Sequence, residues 1–357
     1  MNLHLFIPNL FWPDSTFHEI YQDLSLPAIE ILFTKSIQTK DESQGVEDWL
    51  CKAFGVEKQQ DIPVAPLTLL ADKVGDIEIG DGYWLRADPV HLRVEHEQVL
   101  LADSRTFSIS LEEACQFVEV INKHFAEDDL SPSCEMDNRR KLISLLPLSA
   151  DRWYLYMQTT PIIQTHLLSE TAAKNINEHF PYGTEGMFWK GILNEIQMLL
   201  YEHPLNQARE QRGDLAINGI WLWGGGVIPK FVTSPYTHVW SNDVFPRSLA
   251  RACGANHTEL PVSLGSLQQQ NEPGRHLVFL DSLHGKSEYG DAYGWRESLK
   301  ELEKEWFEPA LNMLKNNIIN QVTITTINKG EAINFSITKN NLYKFWRMGK
   351  SFSTYVN

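Results

Sequence analysis

Read for the spacing of its apolar positions, the chain opens with a strand-like Leu3–Ile7 and an apolar block at Leu26–Phe33. The polar run Thr39–Glu47 follows. Val99–Leu101 and Trp153–Met157 read as short strands. Between them Leu111, Cys115, Val118, Ile121 and Phe125 recur every three or four residues, the period of one helix face. Ser110-Leu111-Glu112-Glu113 predicts a capping box at the start of that helix. The serine oxygen would accept from the first-turn backbone while the glutamate reaches back to the serine amide. Over Met187–Tyr201 apolar residues surround the axis, which predicts a helix buried on most faces.

Ile217–Trp223 and Leu277–Leu280 are uninterrupted apolar strands, ended by Gly224-Gly225-Gly226 and by Asp281. Such strands, separated by helices, point to a parallel sheet covered on both sides. Leu299, Leu302, Trp306 and Ala310 mark a further helix, kinked near Pro309 because proline has no N–H to donate. Val322 and Ile324, then Ile333, Phe335 and Ile337, alternate with polar residues around Asn328-Lys329-Gly330, the signature of a hairpin. The stretch Gly75–Gly82 is rich in turn residues, and the acidic Ala126–Arg139, with Pro132, reads as a loop.

Composition narrows the class. A length of 357 residues predicts two domains. Lys and Arg number 31 against 46 Asp and Glu, a net charge of −15. Phosphate neutralisation needs concentrated cations, so no nucleic-acid partner is expected; the one basic cluster, Lys344, Arg347 and Lys350, is small. No apolar stretch is long enough to span a bilayer, so no membrane partner is expected either. Met1–Pro13 lacks a cationic start and a small-residue cleavage site, and reads as a first buried strand. The expected location is the cytoplasm. Cys51, Cys115, Cys134 and Cys253 form no CxxC pair and read as scattered free thiols.

In open α/β sheets ligands bind beyond the carboxyl ends of the strands. Two places fit that rule. The triple glycine after Trp223 is either a tight turn or bare backbone open to an anion. Asp281, followed by His284 and Asp291, is either a carboxylate–imidazole set for a divalent cation or a helix-capping aspartate near a solvated histidine. Arg86, Asp88 and His91 form a third polar group, although Asp88-Pro89 also reads as a simple turn. His91 and His96, five apart, face opposite sides of a strand and cannot share a metal. The sequence contains no Ser-His-Asp order, Walker loop or dinucleotide fingerprint.

Glu202-His203-Pro204-Leu205-Asn206, Arg209, Gly213, Asn218, Ile220–Gly226 and Pro229 together resemble the archaeal-type cofactor-independent phosphoglycerate mutases. These carry a His-Pro-x-Asn-x-x-Arg helix followed by an Asn-x-x-Trp-x-Trp-Gly-x-Gly-x-x-Pro strand. Phe54-Gly55, Trp84-Leu85-Arg86, Ser110–Ala114, Asn242-Asp243 and Leu277–Leu314 extend the similarity over roughly residues 50 to 315. Leu85–Leu92 is more particularly similar to the RpfE-type regulatory proteins, bacterial relatives of those mutases.

The resemblance implies an α/β fold: an alkaline-phosphatase-like core with a mostly parallel sheet, over residues 1–82 and 180–357, and an inserted α+β domain over 83–179. It also implies two metal ions, manganese or zinc, activating a serine. The family's metal-binding Asp-Gly after the first strand is replaced by Ile7-Pro8-Asn9-Leu10. The nucleophile context is reduced to Ser43-Gln44-Gly45. His284 stands one place short of the Asp-x-x-x-His spacing that begins at Asp281, and Asn320–Lys350 contains neither Asp nor His. The sequence therefore reads as a catalytically degenerate, regulatory or ligand-binding member. No cofactor is expected, and Arg86, Asp88, His91, Arg209 and Asn218 are the expected contacts for a phosphorylated small molecule or a protein partner. The competing reading is an active metal-dependent mutase or phosphomonoester hydrolase, with Asp281, His284 and Asp291 on manganese or zinc and Ser43 as nucleophile. The tail aromatics Tyr343, Phe345 and Trp346 are expected to pack onto the core, with an exposed docking patch as the alternative.

Overall fold

The first strand shows how both sheet faces are built. In the computed structural model β1 (Asn2–Phe6) points Leu3 and Leu5 into one apolar layer, which Ile7 just beyond it also joins. Phe6, on the other face, stacks on Trp49 at a ring separation of 4.0 Å. A strand apolar on both faces must be covered on both. Residues 1–14, 16–72, 81–96, 98–127, 143–268, 273–328 and 330–356 are described. The turn-rich 75–80, most of the 126–139 loop, Cys134 and Lys329 of the hairpin turn lie outside them.

The chain divides into two units, Met1–Val56 with Phe231–Asn357, and Glu57–Lys230. The first contains a seven-stranded sheet in the order β2 (Ile37–Glu42), β12 (Glu331–Thr338), β11 (Gln321–Asn328), β1, β10 (Arg275–Phe279), β8 (His238–Trp240), β9 (Asn256–Thr258). From β11 to β9 neighbours run parallel, and β12 and β2 complete the sheet antiparallel. The expected α/β class and mostly parallel sheet are observed. The polar run supplies β2, an exposed edge strand whose charges resist further pairing. The helix expected around Leu299–Ala310 is Ala292–Leu302, a π turn at Glu303–Phe307, then Glu308–Lys315 with Pro309 in its first turn. There the missing N–H costs little.

The second unit is α+β. Its sheet is antiparallel, in the order β4 (Gln98–Ala102), β3 (Tyr83–Glu95), β6 (Arg152–Met157), β5 (Leu145–Ser149), with β7 (Gly219–Gly226) also on β3. Tyr83, Leu85 and Ala87 face a core shared with helices Leu111–Glu127 and Gly186–Tyr201. The opposite face of β3 and β7 lies under helix Val64–Asp72.

Four expectations change here. The apolar run Ile217–Trp223 belongs to β7, antiparallel in this sheet, and not to the parallel one. Coverage on both sides makes any central strand uniformly apolar, so its pattern carries no direction. Because β7 lies on β3, the boundaries fall at 56/57 and 230/231 instead of 82/83 and 179/180. The triple glycine is neither a turn nor an anion cradle. Gly224, at φ +64°, and Gly225 continue the strand beside a register shift, and a Cβ on Gly225 would collide with the Tyr83 hydroxyl. Finally, helix Gly186–Tyr201 is not buried on most faces: Met187, Met198 and Tyr201 are exposed.

Candidate functional site

The carboxyl edge of the parallel sheet is where the first unit would place chemistry. β1 runs out to Asn9, which adopts a left-handed conformation at φ +55°, one that asparagine tolerates. Its side-chain oxygen lies 2.7 Å from His284 Nδ1, and its carbonyl accepts from Trp295 Nε1 at 2.9 Å. His284 Nε2 faces Glu288 Oε1, one helical turn on, at 3.3 Å. The imidazole is thus held from both sides by protein groups.

Asp281 follows β10 with its side chain exposed, and its carbonyl accepts the amide of His284 at 2.9 Å. Asp291 caps helix Ala292–Leu302, accepting from Gly294 N at 2.8 Å. The capping role that the sequence offered for Asp281 belongs to Asp291. Among the described residues no three His, Cys, Asp or Glu side chains converge as a metal site requires. Two adjacent divalent cations need several anionic ligands. The donors present do not fit that pair.

Ser43 is buried at the entry to helix Val46–Ala53. Its hydroxyl donates to Gly45 O at 3.0 Å and approaches Asp48 Oδ2 at 3.3 Å. Asp48 Oδ2 also accepts from Gln44 N and Lys52 Nζ, each at 2.8 Å. The Asp48 carboxylate ties the loop to its helix. Beside Asp281 an open groove of about 610 Å³ is lined by Asn242, Ser282, Glu301, Lys304, Glu305 and Trp306, among others. Three carboxylates and one ammonium make its field unfavourable to a phosphate ester.

In the second unit the period of two places Trp84, Arg86 and Asp88 on one face of β3. Arg86 donates Nε to Asp88 Oδ1 at 2.9 Å and Nη2 to Asp88 Oδ2 at 2.8 Å. Trp223 Nε1 donates to Asp88 Oδ2 at 2.7 Å, and the Arg86 guanidinium lies 5.1 Å from the Trp223 ring centre. Burial pushes the Asp88 carboxyl up to about 6 against the opposing pull of Arg86. Nearby, Arg152 grips Asp72 through Nε and Nη2 at 2.6 and 3.0 Å, and Tyr154 donates its hydroxyl to Asp72 at 2.7 Å. Burial opposes ionisation of Asp72, but the Arg152 fork and the Tyr154 hydroxyl hold it below the usual carboxylate range.

The His-Pro-x-Asn-x-x-Arg segment forms the helix Pro204–Gln211. His203 caps it, accepting from Leu205 N at 3.2 Å. Asn206 donates to the carbonyls of Leu200 and Ile217 at 2.7 and 2.8 Å and accepts from Ile217 N at 2.8 Å. Buried Arg209 donates to Leu215 O at 2.9 Å, Ser108 O at 2.7 Å and Glu113 Oε2 at 2.9 Å. That glutamate is the capping-box residue: Ser110 N donates to its carboxylate at 3.0 Å, and Glu113 N donates to Ser110 Oγ at 3.1 Å. Asn218 pairs with both backbone groups of Leu92 at 2.7 and 2.8 Å, and His91 Nδ1 lies 2.8 Å from Ala216 O.

The five residues expected to meet a ligand therefore do not converge on one cavity. Arg86 and Asp88 bind each other, Arg209 clamps a loop, and His91 and Asn218 fasten β3 to the segment leading into β7. A separate cavity of about 250 Å³ in this unit is lined by Ile143, Leu155, Met157, Phe188 and Trp189, with Glu185 as its charged group. It offers no cation for a phosphate. Sequence reasoning missed Asp72, Arg152 and Tyr154. The alternation across β3 flags the face, but nothing local links Asp72 to a strand 80 residues away.

No family model matches the chain. It is 30% identical over 155 residues to a 2,3-bisphosphoglycerate-independent phosphoglycerate mutase of Methanosarcina barkeri, covering 42% of this chain and 36% of that protein. It is 39% identical over 112 residues to the protein of the same description in Methanosarcina acetivorans, covering 30% and 28%. The chain thus spans about a third of the length of the curated relatives it matches. Among solved structures, the PH0037 protein of Pyrococcus horikoshii shares the fold, with a TM-score of 0.52 at 12% identity over 94% of this chain and 87% of that one.

Proposed function

We propose that this chain, a relative of the 2,3-bisphosphoglycerate-independent phosphoglycerate mutases, is a catalytically degenerate member that acts in the cytoplasm as a regulatory, ligand-binding protein of the RpfE type. One observation carries the reading: where the mutase pattern requires an acid after the first strand, Asn9 engages His284 instead. Around it no set of three metal-binding side chains converges among the described residues. A neutral amide cannot help balance two divalent charges, and a groove with three carboxylates against one ammonium disfavours a phosphorylated substrate.

The same groove favours a partner protein over a phosphorylated small molecule as the ligand. Arg86, Asp88, Arg209 and Asn218 could meet a ligand only by giving up buried internal bonds, each costly to leave unmade. The test is turnover. The purified chain, incubated with 3-phosphoglycerate and Mn²⁺ or Zn²⁺, should form no 2-phosphoglycerate above the protein-free control. Clear metal-dependent turnover supports the active-mutase reading and overturns this one.

A further inference from the structure

The tail aromatics do not pack onto the core. The segment Tyr343–Lys350 is a bulge fixed at both ends. Before it, Asn341 and Thr338 form a reciprocal cap. After it, Phe352 is buried against Phe11, Tyr21 and Phe33. Lys35 Nζ donates to the carbonyls of Lys344 and Arg347, both at 2.7 Å, and Lys350 N donates to Thr34 Oγ1 at 3.2 Å. The Arg347 guanidinium reaches the Ser36 carbonyl. Although the backbone is pinned, Tyr343, Phe345, Trp346 and Met348 are 68%, 86%, 66% and 83% exposed. The Phe345 and Trp346 rings meet edge to face, 5.2 Å apart.

Charge is segregated along the same stretch of sequence, although the Glu30 carboxylate accepts from Phe352 N at 2.9 Å just beyond it. Between Ala332 and Asn357 the sequence holds Lys339, Lys344, Arg347 and Lys350 and no Asp or Glu, within a chain of net charge −15. Side chains this exposed protrude as knobs and do not line a groove, so an extended peptide finds no slot there. A lipid interface accepts apolar knobs of any outline, and it is where Trp, Tyr and Phe flanked by Lys and Arg are most stable. The acidic body is no obstacle at physiological salt, because its field is screened within about 8 Å. Surface attachment also needs no spanning helix, and among the described residues no helix is long and apolar enough to cross a membrane.

We propose that Tyr343–Lys350 is a membrane-surface anchor. Phe345, Trp346 and Met348 enter the interfacial layer of an anionic bilayer, and Lys344 and Lys350 meet its headgroups. The proposal is independent of catalytic competence, and it revises the expectation of no membrane partner, which considered only spanning segments.

The test is co-sedimentation of the full chain with vesicles of phosphatidylcholine alone and of phosphatidylcholine mixed with phosphatidylglycerol. Binding to the mixed vesicles should exceed binding to the neutral ones by at least about 30-fold and weaken with salt. K344Q/K350Q should weaken it by about 30-fold. F345S/W346S/M348S should abolish it while leaving the circular dichroism and unfolding midpoint unchanged. Failure of the wild type to bind mixed vesicles, or undiminished binding by the serine variant, overturns the proposal. So does lipid-free self-association that the serine variant removes, which would assign the bulge to a second copy of the chain.

Discussion

The two regions that carry the mutase-like polar residues use them in opposite ways. On β3 and its neighbours in the second unit, charges are buried and paired: Arg86 with Asp88, Arg152 with Asp72, Arg209 with Glu113. At the carboxyl edge of the first unit's sheet, Asp281 is exposed, Asp291 caps a helix, and His284 is held between Asn9 and Glu288. The segment that most resembles the mutases therefore serves the unit's architecture, and at the carboxyl edge no three metal-binding side chains converge among the described residues. A motif can persist because it folds a unit, not because it performs chemistry.

The sharpest way to break this contrast is Asp88→Ala. It strands the Arg86 guanidinium in a site that is 4% exposed and should cost about 3–5 kcal/mol in denaturant unfolding. The pair R86M/D88L should recover much of that loss, because two apolar groups leave no buried charge. If D88A were nearly neutral, the buried network would be dispensable and its residues free for a ligand. Next in size, Asn206→Ala removes three buried hydrogen bonds and should cost about 2–3 kcal/mol. Asp291→Ala deletes a helix cap and should cost about 1 kcal/mol.

A pH experiment separates the units in another way. His4 on β1 lies 2.7 Å from Thr325 Oγ1 through Nε2 and 2.8 Å from the Tyr236 hydroxyl through Nδ1. Burial, with Arg275 nearby, pushes its imidazole down to about 3. The unfolded chain binds that proton near pH 6.5, so this contribution is complete above pH 6.5 and drains away toward pH 3. Unfolding followed against pH should show the first unit losing stability on acidification, and His4→Gln should flatten the curve between pH 6.5 and pH 4. An unchanged curve would mean that His4 is not held neutral.

How much of this was legible in the sequence follows from the distance over which each feature is encoded. The capping box at Ser110–Glu113 lies within four residues and is found as read. The hairpin of β11 and β12 follows from local alternation in the same way, whereas β2 lies in a stretch that reads only as polar. β7 was legible as a strand but not in its direction, because a run apolar on both faces looks alike in either sheet. The missing acid directly after β1, and the missing Asp and His in 320–350, could be read by comparison with the mutase pattern alone. What Arg209 and Asn218 hold could not be read, since their partners Glu113 and Leu92 lie about 100 residues away or more. Asp72 gave no local signal, and neither did the exposure of the Tyr343–Lys350 bulge, which depends on where Lys35 and Thr34 pin its backbone.

The most direct test of the proposed degeneracy is a count of ions. The purified chain, equilibrated with excess Mn²⁺ or Zn²⁺ and then dialysed, should retain well below one ion per molecule by elemental analysis. Two tightly held ions per chain, sensitive to Asp281→Ala, would contradict the account and return the protein to the working phosphotransferases.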